Sequence, residues 1–248
     1  MQRKKSLGQC FLEDRNILSL EAKLVSPQGK TVLEIGPGDG RLTEAILSLK
    51  PKKLIAVEKD PRFAELLKKR YRERKDIEII EGDFLGFELP KDVEVVLGNI
   101  PYNISSDIVF RLARYKFERA VLMVQKEFAQ KMAAKPGDKN YGRLSVTSQI
   151  AFEIELERTV LRHLFKPMPE VDSAIIILKP TGRHLTQGEE NVIRWLYQHK
   201  NKTVRNALLD SKMYEKEEIE TLGMFTKRRA RTLSKEECLE IARLLEKD

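Results

Sequence analysis

Residues 97–106 read LGNIPYNISS, so an asparagine, a proline and a tyrosine follow a run of valines within a few positions. Asn99 carries a side-chain carbonyl, and the Pro101 ring fixes the backbone around the carbonyl next to it. Two acceptors held this way suit an exocyclic amino group on a nucleobase, whose lone pair is delocalised into the ring and attacks poorly. Acceptors aimed at both N–H groups favour a tetrahedral nitrogen and localise that pair, which is catalysis by orientation and preorganised dipoles. The ring of Tyr102 would stack on the base, worth roughly 1–3 kcal/mol. The plainer reading of the same residues is an Asn-Pro turn with a packed tyrosine.

A second group of residues could hold a small ligand. Glu34-Ile35-Gly36-Pro37-Gly38-Asp39-Gly40 follows an apolar run, and glycines let the backbone turn tightly and approach a ligand where a Cβ would clash. The spacing G-x-G-x-G departs from the nicotinamide-type G-x-G-x-x-G, because Arg41 takes the third glycine position, and no Gly-Lys-Ser/Thr is present for a phosphate loop. About 20 residues on, Glu58 closes the next apolar run, where a carboxylate can accept both hydroxyls of a ribose. Asp83, in Glu81-Gly82-Asp83-Phe84, closes the third, where it could accept from an adenine amino group. In open α/β sheets ligands bind outside the carboxyl ends of the strands, and these residues all fall there. An adenosine-containing cofactor is expected, and S-adenosylmethionine suits a loop with no pyrophosphate pattern. With such a donor no general base is required, because a methylated ammonium loses its proton readily.

A third stretch, residues 164–173, reads Leu-Phe165-Lys-Pro167-Met-Pro169-Glu-Val-Asp-Ser173. Two prolines hold it stiff and extended. Phe165 either faces the opposite side of a base turned out of its stack or packs into the core.

These residues need a scaffold that brings strand ends together. Short apolar runs at 31–35, 54–58, 77–81, 93–97, 120–124, 153–160 and 173–178 predict strands, several rich in Val and Ile with little alternation, as strands covered on both faces are. Helical patterns at 40–50 and 61–75 lie between them, the second opening with Pro61 at a first-turn position. The alternation predicts a doubly wound α/β sheet. The last two strands lack an intervening helix and are expected to form an antiparallel edge pair. Seven strands of this kind, in residues 1–182, resemble the Rossmann-like class I methyltransferase sheet. After Lys179-Pro180-Thr181-Gly182 the texture changes, and 188–210, 215–222 and 234–247 predict amphipathic helices of a small all-helical domain at 183–248. Ser234 and Glu237 form a capping-box pattern at the last of these.

Composition narrows the functional classes. Of 248 residues 41% are apolar and 34% charged, no apolar run reaches the roughly 18–20 residues that span a bilayer, and the basic start MQRKKSLGQCFL lacks a signal-peptide core. A cytoplasmic protein without membrane contact is expected. Cys10 and Cys238 have no paired spacing and His163, His184 and His199 no ligand pattern, so neither disulfides nor a metal is expected. The net charge of +8 points to an acidic partner. Basic residues cluster at Arg3-Lys4-Lys5, at 68–75 (KKRYRERK) and at Lys227-Arg228-Arg229 with Arg231, which read either as a phosphate-tracking surface or as solvated helix faces.

Taken together, KKSLGQCFL at 4–12, EIGPGDG at 34–40, Glu58, Asp83, NIPYNIS at 99–105 and FKPMPEVDSA at 165–174 resemble the KsgA-type small-subunit rRNA adenine dimethyltransferases. The resemblance spans the catalytic domain, and the helical tail is similar in size and placement. It implies transfer of two methyl groups to N6 of each of two adjacent adenosines near the 3′ end of small-subunit rRNA, free or in an assembling subunit, by a monomer. It further implies cofactor contacts from Gln9, Cys10, Leu12, Gly36, Gly38, Glu58, Asp83 and Asn99, with Asn99, Pro101, Tyr102 and Phe165 around the target adenine. The family has Asn or His after its Gly-Gln pair where this chain has Cys10, a weaker hydrogen-bonding group; a backbone contact there is independent of the side chain. NIPY is shared with the antibiotic-resistance (Erm) methyltransferases of large-subunit rRNA, which remain an alternative. An RNA-binding assembly factor on the same scaffold is another.

Overall fold

The computed structural model describes residues 10–246. In chain order the strands are β1 (Phe11–Leu12), β2 (Thr31–Ile35), β3 (Lys53–Glu58), β4 (Ile77–Glu81), β5 (Val95–Asn99), β6 (Arg119–Gln125), β7 (Phe152–Val160), β8 (Phe165–Lys166) and β9 (Ser173–Pro180). The helices are α1 (Arg15–Leu24), α2 (Arg41–Ser48), α3 (Pro61–Arg70), α4 (Ser105–Leu112), α5 (Lys126–Ala133), α6 (Arg143–Ala151), α7 (Gln187–Gln198), α8 (Val204–Ser211), α9 (Lys216–Glu220) and α10 (Lys235–Leu245). No helix among the described residues is long and apolar enough to cross a membrane.

The chain divides into two compact units. The first runs to Ala129 and resumes over Ile154–Pro180. Its seven-stranded sheet has the order β4-β3-β2-β5-β6-β9-β7. β4, β3, β2, β5 and β6 pair in parallel, and β9 runs antiparallel to β6. β2 is buried at every position, and β5 and β6 through their centres, which accounts for their unalternating Val/Ile/Leu content. After β4 the chain crosses back to lay β5 against the other edge of β2, so the strand order reverses between β2 and β5. The crevice at such a switch point is where open α/β sheets bind ligands.

Helix boundaries follow their caps. Asp60 accepts from Arg62 N at 3.1 Å ahead of Pro61, so α3 starts where the sequence placed it. Asp14 caps α1 by accepting from Asn16 N and Ile17 N at 2.8 and 3.0 Å. The strand predicted at 93–97 is displaced to Val95–Asn99. Val93 belongs instead to a turn, its N–H bonded to Pro90 O, while Gly98 continues the strand because β5 passes so close to β2 that a Cβ there would lie 2.8 Å from Ile35 O.

The second unit comprises Gln130–Glu153 with the residues from Thr181 on, so residues 130–153 cluster with the C-terminal helices rather than with the sheet. Val146 and Ile150 of α6 share one apolar core with Ile193 and Leu196 of α7, Leu208 of α8 and Ile241 of α10. α6 escapes a periodicity search because Ser145, Thr147 and Ser148 are buried too, the hydroxyls of Thr147 and Ser148 donating to the carbonyls of Arg143 and Leu144. The helix predicted over 188–210 breaks at 199–203, where Thr203 caps α8 by accepting from Asn206 N. The Ser234–Glu237 capping box forms as expected.

Candidate active site

Two loops leave the sheet at the switch point, one after β2 and one after β5. The first turns at Gly36, Gly38 and Gly40, all at positive φ. It is braced from β3, because Glu58 accepts from Gly38 N at 2.8 Å with one carboxylate oxygen and from Asp60 N at 2.7 Å with the other. Gly38 is packed from the far side, and a Cβ there would sit 2.6 Å from Phe11 Cε1. Gly36 has φ +67°, and among the described residues nothing lies within 4 Å of the position its Cβ would take.

The loop after β5 begins at Asn99, the last strand residue, paired in register with Met123. Ile100 N donates to Met123 O at 2.9 Å, and Pro101 opens a short 3-10 turn. The Tyr102 hydroxyl shares a 2.7 Å hydrogen bond with the buried Ser173 Oγ at the start of β9, so the ring is held by the end of the Pro-rich stretch. From the other direction β1 pairs with β8, Leu12 opposite Phe165. Arg41 ties β1 to the glycine loop by donating to Leu12 O at 3.2 Å.

Between these loops lies a cavity of about 190 Å³. Cys10, Leu12, Gly36, Gly38, Glu58, Asp83, Asn99, Pro101, Tyr102 and Phe165 all line it. Gln9 lies outside the described residues. Phe165 is only 7% exposed and belongs to the apolar core while also bordering the cavity. Phe11, Lys59 and Ile108, to which the sequence analysis gave no number, also border the cavity, as does Phe84, named there only as the neighbour of Asp83.

The acids differ in state. Lys59 Nζ lies 2.6 Å from Asp83 Oδ2, Leu85 N donates to Oδ1 at 3.0 Å, and the ammonium holds the carboxyl below its usual range. Burial raises Glu58 while the N–H groups of Asp60 and Gly38 oppose the rise. Beneath the cavity two fully buried carboxyls, Glu34 on β2 and Glu21 on α1, are each pushed up to about 8 by desolvation. Thr43 Oγ1 donates to Glu34 Oε2 at 2.8 Å, while Oε1 has no hydrogen-bond partner among the described residues. Glu21 is partnered by Asn99. With its amide nitrogen turned toward α1, Asn99 donates to Glu21 Oε1 and Oε2 at 2.8 and 3.2 Å, whereas the opposite orientation would set carbonyl against carboxylate.

A family model described as ribosomal RNA adenine dimethylase matches residues 1–247. The chain is 45% identical over 213 residues to a probable ribosomal RNA small subunit methyltransferase A of Methanopyrus kandleri, covering 83% of this chain and 76% of that one. The crystal structure of a dimethyladenosine transferase from Plasmodium falciparum matches with a TM-score of 0.82 at 29% identity, over 93% of this chain and 95% of that one. The 23S rRNA methyltransferase ErmE matches with a TM-score of 0.72 at 30% identity, over 95% and 99%. The chain belongs to the ribosomal RNA adenine dimethylase family.

Membership makes it an enzyme that dimethylates adenine in ribosomal RNA with S-adenosylmethionine as cofactor. The cavity of this family member fits that cofactor. The bare backbone at Gly36 leaves a cradle that any side chain would fill, the carboxylates of Glu58 and Asp83 each retain lone pairs beyond the bonds named above, and Phe84 and Ile108 offer apolar walls. The basic clusters of this dimethylase divide differently from a uniform phosphate track. Lys68, Arg70, Arg72 and Arg74 each pair with a carboxylate, and Arg228 pairs with Glu237. Arg3, Lys4 and Lys5 lie outside the described residues.

Proposed function

We propose that the substrate is small-subunit ribosomal RNA, as the free RNA or in an assembling subunit in the cytoplasm, and that a monomer methylates N6 of two adjacent adenosines near its 3′ end. The match to a small-subunit methyltransferase A at 45% identity supports this choice over a large-subunit target, as does the Phe165-x-Pro167-x-Pro169 stretch whose last residue, Ser173, anchors Tyr102.

The observation that carries the chemical reading is Asn99. It ends β5 at the switch point, borders the cavity, and has its amide nitrogen engaged from below. Its carbonyl oxygen is then the end available to accept from the adenine amino group, together with the carbonyl of Ile100, whose geometry Pro101 fixes. S-adenosylmethionine supplies an electrophilic methyl group on a sulfonium. Asn99 and Ile100 draw the two N–H groups of the adenine into hydrogen bonds, raising lone-pair density at the nitrogen in a water-poor cleft. Tyr102, its hydroxyl tied to Ser173, presents a ring for stacking, and the cavity-facing side of Phe165 closes the other wall. Glu58 is suited to the ribose hydroxyls and Asp83 to the cofactor's adenine amino group, while Cys10 and Leu12 border the remaining side and Gln9 adjoins them in sequence.

Primer extension tests the substrate, since dimethylated adenine blocks reverse transcription. Purified protein, labelled S-adenosylmethionine and unmodified small-subunit particles are expected to give paired stops near the RNA 3′ end. Label confined to large-subunit RNA would overturn the reading.

A further inference from the structure

Glu21 has no place in the residues discussed so far as cofactor or base contacts. It lies on the face of α1 that also buries Ile17, Leu18 and Ala22, and its own exposure is 0%. An apolar side chain of that size would satisfy this helix face at no cost, because exchanging a buried ionisable group for a hydrophobe is often neutral or stabilising. A buried carboxyl is tolerated only where it is hydrogen-bonded, and the partner here is the amide of Asn99, at 2.8 and 3.2 Å.

A planar amide has two ends, and which end faces the cavity decides what Asn99 can do. With Nδ2 outward it would point a donor at the amino group of the base and oppose the reaction. With Nδ2 held by Glu21, Oδ1 is the outward end and accepts. Nothing in the amide itself favours one orientation, since its two ends are nearly the same size. The ionised Glu21 carboxylate beneath it does, because it can only accept; the neutral acid that burial favours below about pH 8 can also donate, so the fixing is complete above that pH.

We propose that Glu21 is a positioning residue for methyl transfer: it holds the Asn99 amide nitrogen and so fixes the carbonyl toward the target amino group. The proposal rests on Asn99 acting as that acceptor. Glu21 touches neither base nor cofactor and works through orientation alone. It therefore affects the chemical step and leaves binding of S-adenosylmethionine and RNA unchanged.

The test uses the full chain and single-turnover methyl transfer. Glu21→Met, which fills the space but cannot accept, is expected to lower the rate at least about tenfold, in the range of losing an aimed donor or acceptor. The cofactor Kd by calorimetry and the RNA KM are expected to stay within about threefold of wild type. Glu21→Gln, whose amide can present either a donor or an acceptor to Asn99, is expected to be slowed as well when assayed above pH 8, where the wild-type carboxylate is ionised. In an Asn99→Ala background Glu21→Met is expected to add no further loss, because residues acting as one unit are not additive. A folded Glu21→Met enzyme with wild-type rate, or one whose loss adds fully to that of Asn99→Ala, would overturn the proposal. Should Glu21→Met not fold, Glu21→Gln decides it, a folded variant with the wild-type rate above pH 8 counting against it. A fully active Asn99→Ala enzyme would instead overturn the acceptor role of Asn99.

Discussion

Glu34 offers a stability measurement whose size follows from its surroundings. It is fully buried, Thr43 is its one hydrogen-bond donor among the described residues, and burial raises its pKa from 4.5 to about 8. Between those values the folded chain binds a proton that the unfolded chain has released, so folding becomes less favourable as pH rises. The contribution is complete below pH 4.5 and is lost progressively toward about pH 8. At pH 7 about 2.5 units of this window have been crossed, and at roughly 1.4 kcal/mol per unit the loss is on the order of 3 kcal/mol. Glu34→Gln keeps the acceptor for Thr43 and cannot ionise, so it is expected to match the wild type near pH 4.5 and to exceed it increasingly up to pH 8. At pH 7 the difference corresponds to a Tm gain of roughly 6–12 °C. Thermal melts of both proteins across pH 4.5–9 check this. Parallel curves over the whole range would refute the reasoning, because they would mean that Glu34 releases its proton at the same pH folded and unfolded.

Further outcomes follow from the site. Gly38→Ala must place a Cβ 2.6 Å from the Phe11 ring at φ +55°, and calorimetry is expected to show cofactor affinity reduced at least about tenfold, with about 1–2 kcal/mol lost in stability from the strained backbone. Ser173→Ala removes the partner of the Tyr102 hydroxyl and is expected to slow methyl transfer a few-fold, whereas Tyr102→Ala forfeits the stacking ring and is expected to cost about 1–3 kcal/mol in kcat/KM for RNA. RNA affinity is expected to fall as salt rises, with a log–log slope that counts phosphate contacts; substituting Arg70 or Arg74, already paired with Glu44 and Asp76, is expected to leave that slope unchanged.

The sheet was legible because its strands are covered on both faces and therefore read as unbroken Val/Ile/Leu runs. The site was legible for a related reason, since strand ends at a switch point must turn, and glycine, proline and acids mark the turns. What escaped depended on contacts distant in sequence. Gly98 looked like the end of a strand, yet it is the residue that lets β5 pass Ile35. Glu21 and the helix that carries it went unremarked in the sequence, and only the approach of α1 to the end of β5 makes it a partner of Asn99. The signal available was Asp14 as a cap with Ile17, Leu18 and Ala22 at helical spacing. Buried hydroxyls hid α6, because each satisfies itself on a carbonyl of the preceding turn.

The central claim is that Asn99 acts on the amino group of the base and is not needed to hold the cofactor. Asn99→Ala assayed side by side for S-adenosylmethionine affinity and for single-turnover methyl transfer tests it most directly. Affinity within a few-fold of wild type with transfer reduced about 100-fold or more is the predicted result. Undiminished transfer would contradict the account.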